Sequence, residues 1–263
     1  MGWARWQSFL TDLGEGIQSL FVSPGGTCPF CGRQIEGEAG ERSSWAAWLS
    51  EWVCPDCLER FPFVVPPLCQ QCGRPLRQTS GTHCQDCLRF RRFFSCCRAL
   101  GVYEGALREW IHLLKYGGRL DFGQALGRMM ADMVQRDRQL AEADCVLAIP
   151  ASADRVTARG YDQAWILAQE CAWQTRLPVA NEVVARVGSA APQSLLPTHA
   201  RRRNAFGQFA VAQPGRIAGR TVLLVDDIFT TGATLSEVSR VLLRAGARRV
   251  VAVVAAIGVQ RGD

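Results

Sequence analysis

Apolar and polar positions change their rhythm about a third of the way along this chain. Beyond residues 88 to 101, helix-like and strand-like patterns alternate. Glu104 to Leu114 carries apolar residues at helical spacing, and Phe122 to Val134 resumes that spacing after Lys115-Tyr116-Gly117-Gly118-Arg119. Cys145 to Ile149 reads as a short buried strand ending at Pro150. Tyr161 to Trp173 reads as a helix with Ala164, Leu167, Ala168 and Cys171 on one side, and Val183 to Val187 as a strand followed by a polar loop to about Gln208. Thr221 to Val225 is a continuous apolar run of the kind found in strands covered on both faces. Leu235, Val238, Val241 and Leu242 then return to helical spacing, and the Val and Ala of Arg249 to Ile257 have to be buried. Strands alternating with helices predict an α/β fold, a mostly parallel sheet flanked by helices with its site at the C-terminal ends of the strands. Near the start, Phe9, Leu10, Leu13, Ile17, Leu20 and Phe21 form one face of a short helix expected to dock on the protein's own body.

The polar residues between the Thr221–Val225 strand and its helix are the most informative of the chain. Asp226 and Asp227 place two carboxylates at a strand end, where they can accept hydrogen bonds from vicinal hydroxyls. Thr230-Thr231-Gly232-Ala233-Thr234 opens a helix and offers free backbone N–H groups, hydroxyl donors and the positive end of a helix dipole, a combination that suits a phosphate. Vicinal hydroxyls beside a phosphate describe a phosphorylated ribose.

The cysteines organise the first third. Eight of the twelve fall in four C-x-x-C pairs, Cys28/Cys31, Cys54/Cys57, Cys69/Cys72 and Cys84/Cys87. Two such knuckles complete a closed tetrahedral zinc site, so four pairs predict two structural four-cysteine sites. Sequential pairing (Cys28, Cys31, Cys54, Cys57 and Cys69, Cys72, Cys84, Cys87) is the simplest connectivity, with a cross-braced arrangement open, and His83 is an alternative ligand beside Cys84. Cys145 and Cys171, in apolar surroundings, read as small core residues. Between the first two knuckles, Trp45, Trp48 and Trp52 suggest a helical packing face, with a stacking platform for nucleic acid as the alternative.

Length and composition narrow the class. The 263 residues admit one medium domain and a small one, and no apolar stretch approaches the roughly 18 to 20 residues of a membrane span. The N-terminus lacks signal-peptide features, so the expected location is cytoplasmic. A net charge of +6 is spread along the chain, but Arg74 to Arg98 holds six arginines against one carboxylate, Asp86. That stretch is either a contact for nucleic-acid phosphates or a solvated face. Lys115 is the only lysine against 29 arginines, a compact charge that would suit a phosphate.

The segment Val225 to Thr234 resembles the motif that binds 5-phosphoribosyl 1-pyrophosphate (PRPP) in type I phosphoribosyltransferases. The chain as a whole resembles the ComF family, a double zinc ribbon followed by a phosphoribosyltransferase-like domain. The resemblance rests on the four knuckles, Leu114-Lys115-Tyr116-x-Gly118, Ile149-Pro150 through Arg159-Gly160-Tyr161-Asp162-Gln163-Ala164, Gln193-x-x-Leu196 through Arg201-x-x-Asn204-x-x-Gly207-x-Phe209, and the PRPP motif. The family's usual Asn is Asp162 here. The resemblance implies that Asp226 and Asp227 hold the ribose hydroxyls and help place Mg²⁺ and that Thr230 to Thr234 hold the 5′-phosphate. It also implies that Arg159-Gly160 belong to a pyrophosphate loop, and that Gln193 to Asn204, with Arg201, Arg202 and Arg203, closes over PRPP. Lys115 completes the set expected to serve catalysis. The implied role is in natural competence and DNA uptake, with single-stranded DNA and a competence helicase as partners.

These observations predict an N-terminal helix (1–26), a double zinc ribbon (27–95) and a phosphoribosyltransferase-like domain (96–263). Three activities stay open: transfer of phosphoribosyl to an acceptor, PRPP or nucleotide sensing without transfer, and a DNA- or helicase-binding accessory role for the ribbons.

Overall fold

The computed structural model describes residues 26–35, 53–76, 81–187 and 206–259. The expected N-terminal helix, the Trp45/Trp48/Trp52 face and the Gln193–Asn204 loop with Arg201 lie outside the described residues. The chain divides into two compact units, Met1–Glu59 and Arg60–Asp263. Within the first, the described residues are the knuckle around Cys28 and Cys31, and the segment that carries Cys54 and helix α1 (Pro55–Glu59).

The second unit begins with the other cysteine knuckles, which include helix α2 (Gln85–Arg89), and continues into the sheet. Strand β1 (Cys96–Val102) leads to helices α3 (Gly105–Tyr116) and α4 (Leu120–Arg136). Strand β2 (Cys145–Ala148), helices α5 (Ala153–Arg159) and α6 (Gln163–Thr175), and the hairpin β3 (Val184–Arg186) and β4 (Phe209–Val211) follow. Strand β5 (Thr221–Phe229), helix α7 (Ala233–Arg244) and strand β6 (Arg249–Ile257) complete it. Four strands form one parallel sheet in the order β1-β6-β5-β2, while β3 and β4 pair antiparallel. Helices cover both faces, which is why β5 and β6 read as unbroken apolar runs: Val222 to Val225 and Val250 to Ile257 are buried.

Three features depart from the sequence pattern. β5 continues past Val225 to Phe229, because β6 offers it a partner as far as Ile257. β1 was not apparent in the pattern, since Cys96 and Cys97 run on directly from the knuckles. The short β4 and α5 also carry too few residues to show a period. Cys145 and Cys171 are buried core residues, as their surroundings predicted.

The cysteine-rich segment is fastened to the sheet edge through β1. Phe63 bridges Gly101, and the Val102 N–H donates to the Pro62 carbonyl at 2.8 Å. A Cβ on Gly101 would lie 2.6 Å from the Pro62 carbonyl oxygen and 2.8 Å from Leu107 Cδ2. Gly101→Ala is therefore expected to cost about 1–3 kcal/mol through overpacking, read as a lower urea midpoint with an unchanged m-value. An unaltered midpoint would show that this approach is looser than the geometry states.

Candidate functional site

A cavity of about 350 Å³ opens where β2 and β5 end. Its lining brings together Lys115, Arg159, Asp226, Asp227 and Thr230 to Thr234, residues that lie as far as 119 positions apart (115 to 234). Gly160 ends α5 with a left-handed φ of 82° but does not line the cavity.

The wall nearest α7 is the Thr230-Thr231-Gly232 turn. Gly232 adopts φ 68°, and a Cβ there would meet the Phe229 ring at 2.4 Å, so glycine is required for both backbone and space. Ser236 N–H returns to the Gly232 carbonyl at 2.9 Å as α7 begins. The Thr231 and Gly232 amides have no hydrogen-bond partner among the described residues, and a left-handed residue after a turn directs successive N–H groups into one concavity. Such a concavity, at a helix N-terminus, is a place for an anion.

Opposite the turn stand the carboxylates. Lys115, in the last turn of α3, brings Nζ to 2.6 Å from Asp227 Oδ2, and both side chains are largely buried. Asp227 N–H donates to Asp226 Oδ1 at 2.8 Å. Burial raises the pKa of both acids, and what differs is the company each keeps. Burial and the neighbouring Asp227 push Asp226 well above the usual carboxylate range. For Asp227 the cost of burial is outweighed by Lys115, which holds it below that range. One cation thus leaves the two acids unequal, the second proton being retained more readily by Asp226.

Asp162, where the family pattern has Asn, is the N-cap of α6. Its Oδ1 accepts from Ala164 N–H at 2.9 Å and Trp165 N–H at 3.4 Å, and its Oδ2 accepts from Ala151 N–H at 2.9 Å. A carboxylate satisfies three donors there, whereas an amide NH₂ would meet one of them donor to donor. Arg159 donates to Gln163 Oε1 at 2.7 Å and lies 5.0 Å from the Tyr116 ring centroid. Tyr161 donates its hydroxyl to the Leu114 carbonyl, which ties the start of α6 to the segment that carries Lys115.

Among the cations of the cavity, sequence reasoning missed Arg155 and Arg186. Arg186 donates to Gln208 Oε1 at 2.5 Å and lies over the Phe209 ring. Burial, then the nearby Arg155, lower its pKa, as expected of two cations lining one cavity. Arg186 sits on the strand that the sequence predicted over Val183 to Val187, and its one signal as a site residue was an arginine at the lip of a polar loop.

The cysteines gather sequentially, which removes the cross-braced alternative. Cys28, Cys31, Cys54 and Cys57 form one group and Cys69, Cys72, Cys84 and Cys87 the other, with the sulfurs of each group within 4.8 Å of one another. Four thiols at that separation, on knuckles of matching geometry, fit a closed zinc site. His83 is engaged instead by Thr82, Oγ1 to Nδ1 at 2.9 Å. In the opening knuckles, Cys28 N–H donates to the Arg33 carbonyl at 2.7 Å and Cys69 N–H to the Arg74 carbonyl at 2.8 Å. Among the described residues, no helix is long and apolar enough to cross a membrane.

Comparison with known proteins places this geometry. Residues 176–262 match the phosphoribosyl transferase domain family. The chain is 30% identical over 212 residues to the DNA utilization protein YhgH of Salmonella typhimurium, covering 77% of this chain and 89% of that protein. It is 29% identical to competence protein F of Haemophilus influenzae (75% and 87% covered) and 23% identical to competence protein ComFC of Bacillus subtilis (89% and 93%). Among solved structures, the Bacillus subtilis glutamine PRPP amidotransferase complexed with ADP and GMP aligns over 51% of this chain and 27% of its own length. Its identity is 21% and its TM-score 0.36. TT1426 from Thermus thermophilus aligns over 54% and 85%, with 19% identity and a TM-score of 0.31. Kinship sustained over most of the YhgH and competence proteins, on a parallel sheet preceded by paired cysteine clusters, means that the chain belongs to the ComF family.

Proposed function

We propose that the chain binds Mg²⁺-PRPP in the cavity between α3, α5 and α7, and transfers its phosphoribosyl group to an acceptor in support of DNA uptake in the cytoplasm. The observation that carries this reading is the convergence of a carboxylate pair, a turn with free amides and several cations in one cavity. Asp226 and Asp227 face the ribose hydroxyls, and Thr230 to Thr234 hold the 5′-phosphate. Arg159, reached through the Gly160 turn, meets the pyrophosphate together with Arg155 and Arg186. Arg201, outside the described residues, adds charge when its loop closes. Asp226 and Asp227 are oxygen donors of the kind Mg²⁺ prefers, and the ion supplies neutralisation of the leaving pyrophosphate. Lys115 holds Asp227 ionised and in place, so that pyrophosphate departure does not depend on a carboxylate free to wander. The three-part division at residues 27 and 96 belongs to the same reading, as do the ribbons' zinc ions and their partners, single-stranded DNA and a helicase.

Calorimetry decides the central point. The zinc-loaded parent is expected to bind Mg²⁺-PRPP, and Asp226→Ala/Asp227→Ala to bind at least about a hundredfold more weakly, two charged partners at about 1.5–3 kcal/mol each. A folded parent that takes up no PRPP sinks the proposal. Without PRPP turnover against any base or amine, a sensing role replaces transfer.

The unequal carboxylates add a pH signature. Asp226 retains its proton above the usual carboxylate range, so ligand-borne cations must expel it. Binding is expected to release protons and to strengthen as pH rises through the raised Asp226 value. Titrations in buffers of different ionisation enthalpy check this, and buffer-independent heats would refute it. Metal analysis should give two zinc equivalents per chain, one lost in Cys28→Ser and the other in Cys69→Ser; retention of both in either variant would overturn the assignment.

A further inference from the structure

Two arginines of the stretch from Arg74 to Arg98 are neither solvated nor free for nucleic acid. Arg74 and Arg92 are only 2% and 9% exposed. Arg74 donates Nη2 to the Thr230 carbonyl at 2.9 Å and Nη1 to Asp86 Oδ2 at 3.3 Å. Arg92 donates Nη1 to the Thr231 carbonyl at 2.8 Å and lies 3.9 Å from the same Asp86 carboxylate. Phe93 N–H adds a bond to Ser236 Oγ at 3.3 Å, in the first turn of α7. Arg74 stands two residues beyond Cys72, and Asp86 lies between Cys84 and Cys87. The two carbonyls gripped by the arginines therefore belong to the anion turn, and the grip originates in the second cysteine cluster.

A trans peptide is planar, with its C=O and N–H pointing in opposite directions. Fixing the Thr230 carbonyl fixes the Thr231 N–H on the far side, and fixing the Thr231 carbonyl does the same for the Gly232 N–H. Those are the unpartnered amides that border the cavity. We propose that Arg74, Asp86 and Arg92 are positioning residues that aim the turn's amides from the second cysteine cluster, so that anion affinity at the turn follows the metal state of that cluster. Zinc held by four thiolates is net negative and favours two guanidiniums nearby.

The first cluster contains the same arrangement without the reach. Arg33 follows Cys31 as Arg74 follows Cys72, Asp56 precedes Cys57 as Asp86 precedes Cys87, and Arg33 pairs with Asp56. That pair is 63% and 59% exposed, against 3% and 11% for Arg74 and Asp86. Arg33→Met is therefore a built-in control for loss of a knuckle ion pair.

The proposal rests on the PRPP reading for the ligand alone, and the experiment separates the two. Hydrogen exchange of the full zinc-loaded chain would be followed in peptides covering 228–236 and in β6 peptides, alongside calorimetry with ribose 5-phosphate and with inorganic pyrophosphate. Arg74→Met and Arg92→Met are expected to raise exchange in the turn peptides while β6 stays protected. They should weaken ribose 5-phosphate about tenfold or more, the scale of one lost charge-assisted hydrogen bond, and leave pyrophosphate binding in place. Zinc removal by a chelator should reproduce this pattern, and Arg33→Met should not. Arg74→Lys, which keeps the charge but lacks the planar fork that spans Asp86 and the Thr230 carbonyl, should fall between, and it serves if the methionine variants do not fold. Unchanged turn exchange in folded variants or after zinc removal would overturn the proposal, as would deprotection spread equally over β6. A parent that binds neither PRPP nor ribose 5-phosphate would refute the ligand reading, and exchange would still decide the positioning.

Discussion

Strand β5 has to leave an apolar interior and deliver polar groups without stranding them away from partners. Val222 to Val225 are fully buried, and the next two residues are carboxylates within the same strand. A buried ionised acid costs several kcal/mol unless it is paired, and removing one partner of such a pair commonly costs about 3–5 kcal/mol. Each element near the end of β5 answers that demand. α3 ends where it does so that Lys115 reaches Asp227, and Tyr161 holds the backbone of that segment. The knuckles supply Arg74 and Arg92 to the carbonyls of the turn that follows.

Much of this was legible in the sequence, for identifiable reasons. β5, β6, α3, α4 and α6 announce themselves because burial on one or both faces imposes a period, and the PRPP-like segment because its chemistry is packed into ten consecutive residues. Spacing made sequential cysteine grouping the simplest reading, but only the fold removes the cross-braced one. β1 was hidden because Cys96, Cys97 and Arg98 continue the composition of the knuckles, though Cys96 and Cys97 are wholly buried in the sheet. Arg186 was hidden as a site residue because its strand, though predicted over Val183 to Val187, is brought to the cavity only by tertiary folding. Lys115 was conspicuous as the sole lysine, but its ion pair with Asp227 was not, because only tertiary structure brings residues 115 and 227 together.

In the arginine-rich stretch, composition alone could not say which charges are buried. Of its six arginines, Arg74 and Arg92 hold the turn, and Arg98 donates to Asp137 at 2.8 Å and to the Gln70 carbonyl at 3.0 Å. Arg77 lies outside the described residues, which leaves Arg89 and Arg91 as the exposed charges of the stretch. A footprint that neutralises many phosphates would give a steep salt dependence, whereas two exposed arginines give a shallow one.

The two cysteine clusters make the same local structure serve different ends. Both opening knuckles close with the same pair of backbone bonds, and both clusters carry an arginine–aspartate pair between their two knuckles. In water such a pair contributes little, since the ions are screened and their side chains lose entropy on pairing. Buried in the second cluster, the same pair becomes directional, because Arg74 uses its two Nη groups on Asp86 and the Thr230 carbonyl while its Nε, like that of Arg92, is buried without a hydrogen-bond partner. Asp86 takes one set and the turn's carbonyls take another, so neither arginine can shift without leaving a buried polar group unmatched. That burial distinguishes the pair of the second cluster, whereas the first retains the exposed form of the motif.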